Sequence, residues 1–241
     1  MILFRTKPAA TSLAPLSIGE TGPPSGYHFR GESLVVRGGD EFAAFYGRLA
    51  NGIAVTPDKK TLVFRIHPDA RWDDGNTVTA RDVVYTFELL MGQVGASLRF
   101  DFLASIEAWD DRHVIFHLEV PLAYDHVAMI QYQEILPQHY WRNRDPTAHT
   151  LKPPVSSGPY RLKEIKLGRY VEYERREDYW GWHLPINQGR YNFDTVRFEV
   201  YRNAWSGELA VGVITTEAVS YTHLRAHETG RNLVCRLLLE K

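Results

Sequence analysis

The chain has 241 residues, 44% of them hydrophobic and 24% charged, a balance that fits a folded globular protein and excludes disorder as its general state. With 28 basic against 29 acidic residues its net charge is −1, so it has no cationic excess to hold a nucleic-acid backbone, and nucleic acid is not an expected partner. No stretch approaches the roughly 18 apolar residues that span a bilayer. Pro8 follows Arg5 and Lys7 where an export signal would turn apolar, so neither anchor nor signal is expected in the chain as given. The single cysteine, Cys235, can form neither an internal disulfide nor a CxxC site.

Residues 1–37 are rich in Gly, Pro and Ser and predict an irregular segment that ends in a strand at Leu34-Val35-Val36-Arg37. Asp40 can cap a helix over Glu41 to Leu49, where Phe42, Phe45 and Leu49 recur at helical spacing, with Asn51-Gly52 ending it. Leu62, Phe64 and Ile66 alternate with Thr61, Val63 and Arg65, the pattern of a strand with one buried face. The turn Asp73-Asp74-Gly75-Asn76 follows. Thr79 stands three residues before Asp82, a variant of the capping box, and predicts a helix from Ala80 to about Met91. A strand through Val114, Phe116 and Leu118 comes next, then a short helix within Pro121 to Ile130, and a turn and helix over Ile135 to Trp141. Beyond the loop from Lys152 to Gly158, strands are predicted at Tyr160 to Ile165, Tyr170 to Arg175 and Val196 to Tyr201. Strands mixed with helices and long loops give an α/β or α+β class.

The last 23 residues break the pattern. Val219 to Thr229 and Asn232 to Lys241, translated back to codons, resemble the transposon-end adaptor and flow-cell primer of sequencing libraries, with Gly230 and Arg231 where a variable index would lie. Residues 219–241 are therefore expected to be a non-native tail that packs little against the rest, and residues 205–218 stay unassigned. Without the tail the net charge is −3 and cysteine is absent.

Several residue groupings invite chemistry, and each has a plainer explanation. His113 and His117 are four apart but lie in an alternating strand without an HExxH glutamate, so no metal is expected there. Asp73-Asp74 beside Gly75 reads as a turn before it reads as an acid–base pair. Ser156-Ser157-Gly158 lacks the first glycine of a nucleophile elbow, and no phosphate-cradling glycine loop occurs. No catalytic residue, metal or cofactor is expected. Thirty Phe, Tyr and Trp residues dominate instead, clustered at Tyr132, Tyr140-Trp141, Tyr179 to Trp182 and Tyr191 to Phe193, and most must be packing.

The passage from Phe64 to Glu88, with Trp72-Asp73-Asp74-Gly75 and Val78-Thr79-Ala80-Arg81-Asp82-Val83-Val84 at its centre, resembles the signature of bacterial extracellular solute-binding proteins, family 5. His67 stands where that signature usually has Arg, and Thr77 where it has Pro. Ser157-Gly158-Pro159-Tyr160, Gly168-Arg169 and Asp178-Tyr179-Trp180-Gly181 resemble a second family motif. Leu136 to Trp141, Leu184 to Asp194 and Val196 to Ala204 are most similar to the oligopeptide branch that also takes up microcin C and cell-wall peptides. The resemblance covers about residues 12–204 and stops after Ala204.

The resemblance implies a periplasmic binding protein-like type II lobe, α/β in class, with an inserted second subdomain and the second lobe missing. Residues 1–37 and 153–204 would share one sheet as the first subdomain, and residues 38–152 would form the insertion. It implies a periplasmic receptor, not an enzyme, that captures oligopeptides for the membrane permease subunits of an ABC importer, acts as a monomer and uses no cofactor. The Gly-rich stretch at Glu20, Thr21 and Gly22 is similar to the segment that runs along the peptide backbone in relatives, and Tyr132 is a second candidate, as an aromatic wall. The other reading is a nonfunctional truncated product of a fragmentary reading frame.

Overall fold

The computed structural model describes residues 2–6, 12–16, 23–38, 41, 44–93 and 99–200. The largest apolar core is built around an antiparallel sheet of β4 (Ala50–Val55), β5 (Thr61–Ile66), β6 (Leu103–Ala108) and β7 (His113–Leu118), in the order β4-β5-β7-β6. Leu62, Phe64 and Ile66 of β5 are buried while Arg65 is exposed, the alternation that their spacing predicts. Phe64, Val114 and Phe116 meet helix α1 (Ala80–Met91), whose Val83, Phe87 and Leu90 point into the same core. Phe87 meets Phe116 edge to face, with ring centroids 5.0 Å apart, and Phe116 meets Phe64 likewise at 5.3 Å, the favoured geometry for aromatic quadrupoles.

The start of α1 is fixed by Asp82, whose Oδ2 accepts the Thr79 N–H at 2.8 Å and the Thr79 hydroxyl at 3.0 Å. The other oxygen, Oδ1, accepts the N–H of Gln138 at 2.8 Å. One carboxylate therefore closes the helix N-terminus and ties it to α3 (Gln138–Trp141), while Thr86 Oγ1 accepts the Leu136 N–H at 2.9 Å. Asp82→Ala strands two backbone amides at once and is expected to cost about 2 kcal/mol, read as a lowered urea midpoint; a change below about 0.5 kcal/mol would show that these bonds are dispensable.

A second sheet has the order β1-β10-β9-β8, from β1 (Ile2–Thr6), β8 (Tyr160–Lys166), β9 (Tyr170–Arg175) and β10 (Thr195–Val200). β1 lies parallel to β10, with Ile2 opposite Val196, and the other pairs are antiparallel. Its small core holds Tyr160, Val171, Tyr173, Val196 and Phe198. Helix α2 (Tyr124–Gln131) and a two-stranded sheet of β2 (Val35–Arg37) and β3 (Phe45–Gly47) are also present.

Two readings of the sequence are corrected. The helix expected over Glu41 to Leu49 is replaced by β3, which pairs with β2 and places Val35 opposite Gly47. Phe45 and Leu49 are fully buried either way; pairing with the distant Val35-Val36-Arg37 run prevails over local spacing. Asn51-Gly52 then lies inside β4, at a register shift between Ala50 and Gly52, instead of ending a helix. The first 37 residues also contain β1, whose strand partner among the described residues is the distant β10. The expected tail at 219–241 and residues 205–218 lie outside the described residues.

Candidate functional site

The residues between Pro24 and Leu34 run as a buried seam between the two larger sheets. The Arg30 carbonyl accepts the Gly158 N–H at 2.6 Å, and the Glu32 carbonyl accepts that of Ile135 at 2.9 Å. A Cβ on Gly158 would stand 2.6 Å from the Arg30 carbonyl, so glycine is needed for that approach. Tyr173 and Tyr27 reach into the seam and donate to the carbonyls of Ser25 and Leu13 at 3.0 and 2.9 Å.

Charges lie within this seam. Arg30 and Glu32 are each about 1% exposed. The Arg30 guanidinium donates to the Pro154 carbonyl and packs on Tyr27. Glu32 pairs with Arg48 at 3.4 Å and accepts the Tyr179 hydroxyl. Burial pushes the Glu32 carboxyl up despite Arg48 and Tyr179. Glu134 lies where a Cβ on Gly31 would stand; burial pushes it up to about 7 against the attraction of Arg30, with Glu32 adding to the rise. Nothing in the sequence marked this network, because each residue reads as an ordinary surface charge until the fold buries it.

The groupings singled out from sequence have structural partners. Asp73 accepts the Ser156 amide at 3.1 Å and its hydroxyl at 2.8 Å, while Ser157 Oγ accepts the Glu32 N–H at 3.2 Å. The Asp-Asp-Gly turn thus holds the Ser-Ser-Gly loop, with Gly75 at φ 88°. Burial pushes the Asp74 carboxyl up, but hydrogen bonds from His139 and Asn76 outweigh it and hold it below its ordinary value. His113 and His117 bond to Asp110 and Glu107 at 2.8 and 3.2 Å.

Of the expected ligand residues, Glu20, Thr21 and Gly22 lie outside the described residues. Tyr132 caps the C-terminus of α2 and is 69% exposed. Its neighbour Gln131 accepts the Arg37 N–H at 2.8 Å, fixing the helix end against β2. Tyr132 thus stands exposed near Arg37 of β2, with which it interacts electrostatically. A further grouping unforeseen in the sequence is His67, Asp69 and His183, whose ligand atoms lie within 4.8 Å of one another. Burial holds the His67 imidazole below its ordinary pKa, opposed by Asp69 and assisted by His183.

The model of bacterial extracellular solute-binding proteins, family 5, middle region, matches residues 44–230, running past Ala204 where the resemblance read from sequence stops. The peptidoglycan-binding protein YepA of Agrobacterium fabrum is 35% identical over 173 residues, covering 68% of this chain and 27% of its own length. The uncharacterized protein YejA of Escherichia coli is 32% identical over 171 residues, 70% of this chain and 28% of its own. The chain therefore spans less than a third of the length of these curated relatives. The oligopeptide-binding protein AppA of Bacillus subtilis, solved with a nonapeptide, superposes with a TM-score of 0.72 at 23% identity, covering 87% of this chain and 42% of AppA. The mixed α/β architecture is thus part of a larger fold. The match to the family model and the identity to its relatives show that this chain belongs to the bacterial extracellular solute-binding proteins, family 5.

Proposed function

We propose that this chain belongs to the substrate-binding component of an ABC importer, which captures oligopeptides in the periplasm for membrane permease subunits and catalyses no reaction. The observation that carries the reading is the 35% identity to a peptidoglycan-binding protein; the fold shared with a nonapeptide-bound receptor supports it. The serine and aspartate groupings that an enzyme would use bond to each other and to backbone instead. Glu20, Thr21 and Gly22 would offer main-chain groups to an extended peptide, which binds backbone without reading side chains, and Tyr132 would supply an aromatic wall. The same reading divides the chain into residues 1–37 with 153–204 and an insertion of 38–152. The pairing of β1 with β10 supports that division, although Leu34 and Val35 pack into the larger core.

Calorimetric titration of the chain with a mixed di- to hexapeptide pool tests this. A micromolar receptor site is worth about 8 kcal/mol, and this chain spans 42% of the related AppA. In simple proportion, about half the contacts leave a dissociation constant of the order of millimolar. Tyr132→Ala should weaken binding about fivefold, the worth of one aromatic contact, without lowering the melting temperature. Saturable binding of sugars or sugar acids in place of peptides would overturn the reading.

A further inference from the structure

We propose that His67, Asp69 and His183 form a binding site for one divalent transition-metal ion, which would clip the end of β5 to the loop that follows β9. Asp69 Oδ2 stands 3.9 Å from His67 Nδ1 and 4.0 Å from His183 Nε2. Both separations are too long for a hydrogen bond, so the three side chains face one another without satisfying one another. An ion such as Zn²⁺ binds imidazole nitrogen and carboxylate oxygen at about 2.0–2.2 Å, which puts the donors of a tetrahedral site roughly 3.4 Å apart. The three donors lie within 4.8 Å of one another, so a rotamer adjustment of about an ångström per side chain reaches that spacing.

The donors are prepared unequally. His67 is fixed: its backbone N–H donates to the Leu49 carbonyl at 2.7 Å, its ring lies 5.3 Å from that of Trp180, and its side chain is 15% exposed. The Asp69 backbone N–H donates to His67 Nδ1 at 3.2 Å, so that nitrogen acts as an acceptor, the form a metal requires. Binding would exchange this one long hydrogen bond for a metal bond. Asp69 and His183 are 64% and 59% exposed, free to adjust and open to an ion arriving from solvent. Trp180 Nε1 donates to the Ser157 carbonyl at 3.2 Å, and the Leu184 N–H to that of Gly181 at 3.1 Å, holding the loop that presents His183.

Two imidazoles and one carboxylate suit zinc and its first-row neighbours and not calcium or magnesium, which take oxygen ligands. By contrast, His113 bonds directly to Asp110 at 2.8 Å and His139 to Asp74 at 2.7 Å. Among the described residues, the three-donor arrangement occurs at His67, Asp69 and His183. His67 and His183 are far apart in sequence, and a clip that closes so long a loop removes much chain entropy from the unfolded state. The site does not depend on the peptide reading.

Titration of the untagged 241-residue chain with zinc chloride is the test, followed by calorimetry and by the absorption spectrum of added Co²⁺. One ion per chain is expected, with a dissociation constant of about micromolar, a tetrahedral cobalt spectrum and a higher melting temperature with zinc present. His183→Ala and Asp69→Asn, both at exposed positions, should each weaken binding at least tenfold and leave the metal-free melting temperature unchanged. His117→Ala, whose side chain meets Glu107, should leave binding as it was. Absence of saturable binding, or stoichiometric binding that survives both His183→Ala and Asp69→Asn, would overturn the proposal.

Discussion

Arg48→Ala is expected to destabilise the protein by about 3–4 kcal/mol at neutral pH. Glu32 is fully buried at its side chain, and its charge is met by Arg48 at 3.4 Å and by the Tyr179 hydroxyl. Removing one member of a buried pair leaves the other charged and desolvated, and this penalty exceeds what the pair contributes when intact. Arg48 also donates to the Tyr191 hydroxyl and lies over its ring. Tyr191 has φ 56°, a left-handed conformation that costs a bulky residue about 1–2 kcal/mol, so the loss of Arg48 also removes a tether on a strained residue. Chemical denaturation at two pH values checks this. In Arg48→Ala the Glu32 carboxyl can take up a proton as pH falls, so the deficit should narrow from pH 8 to pH 5. The double variant Glu32→Gln with Arg48→Ala should recover part of the loss. A single-variant loss below about 1 kcal/mol would place the pair among ion pairs of surface value.

What could be read in the chain beforehand divides along the range of the interactions. Helix α1 was legible because its cap, its acid at Asp82 and its apolar stripe lie within twelve residues. β5 and β7 were legible because one face of each is buried and the other is not. β3 was misread because Phe45 and Leu49 satisfy a helical period as well as a strand, and what decides is a partner strand at Val35. β1 and β6 were missed for a related reason. The Leu103–Ala108 run alternates poorly, with burial only at Leu103, Ile106 and partly Ala108, and its pairing with β7 shifts register between Leu103 and Ser105.

The candidate site was legible only where a motif names it. The family signature at Phe64 to Glu88 gave the turn and helix, and the structure shows what the turn does: Asp73 holds Ser156 across eighty-odd residues of chain while Gly75 takes φ 88°. His67 and His183 come from distant parts of the chain, and Arg30 and Glu32, Arg48, and Glu134 sit in three separate segments. No spacing rule links them, since the fold alone sets their distances.

Glu134→Gln is expected to flatten the pH dependence of stability and to make the protein more stable than the wild type at pH 8 by about 2 kcal/mol. Burial pushes this carboxyl from 4.5 in the unfolded chain to about 7 in the folded protein. Between those values the folded form keeps a proton that the unfolded chain has released. Stability from this group is therefore full below about pH 4.5, falls as pH climbs towards 7 and stays low above. A rise of that size corresponds to about 3 kcal/mol, which the partial exposure of the side chain reduces to about 2. The side chain sits where Gly31 leaves room, and glutamine fills the same space without a charge to desolvate. Glu32 is raised in the same direction, so its contribution has the same sign, and the difference between wild type and variant isolates Glu134. Guanidinium melts of both proteins at pH 5 and pH 8 supply that difference. If Glu134→Gln is the less stable protein at pH 8, the attraction of Arg30 exceeds the cost of burial and the carboxylate is a net support of the seam.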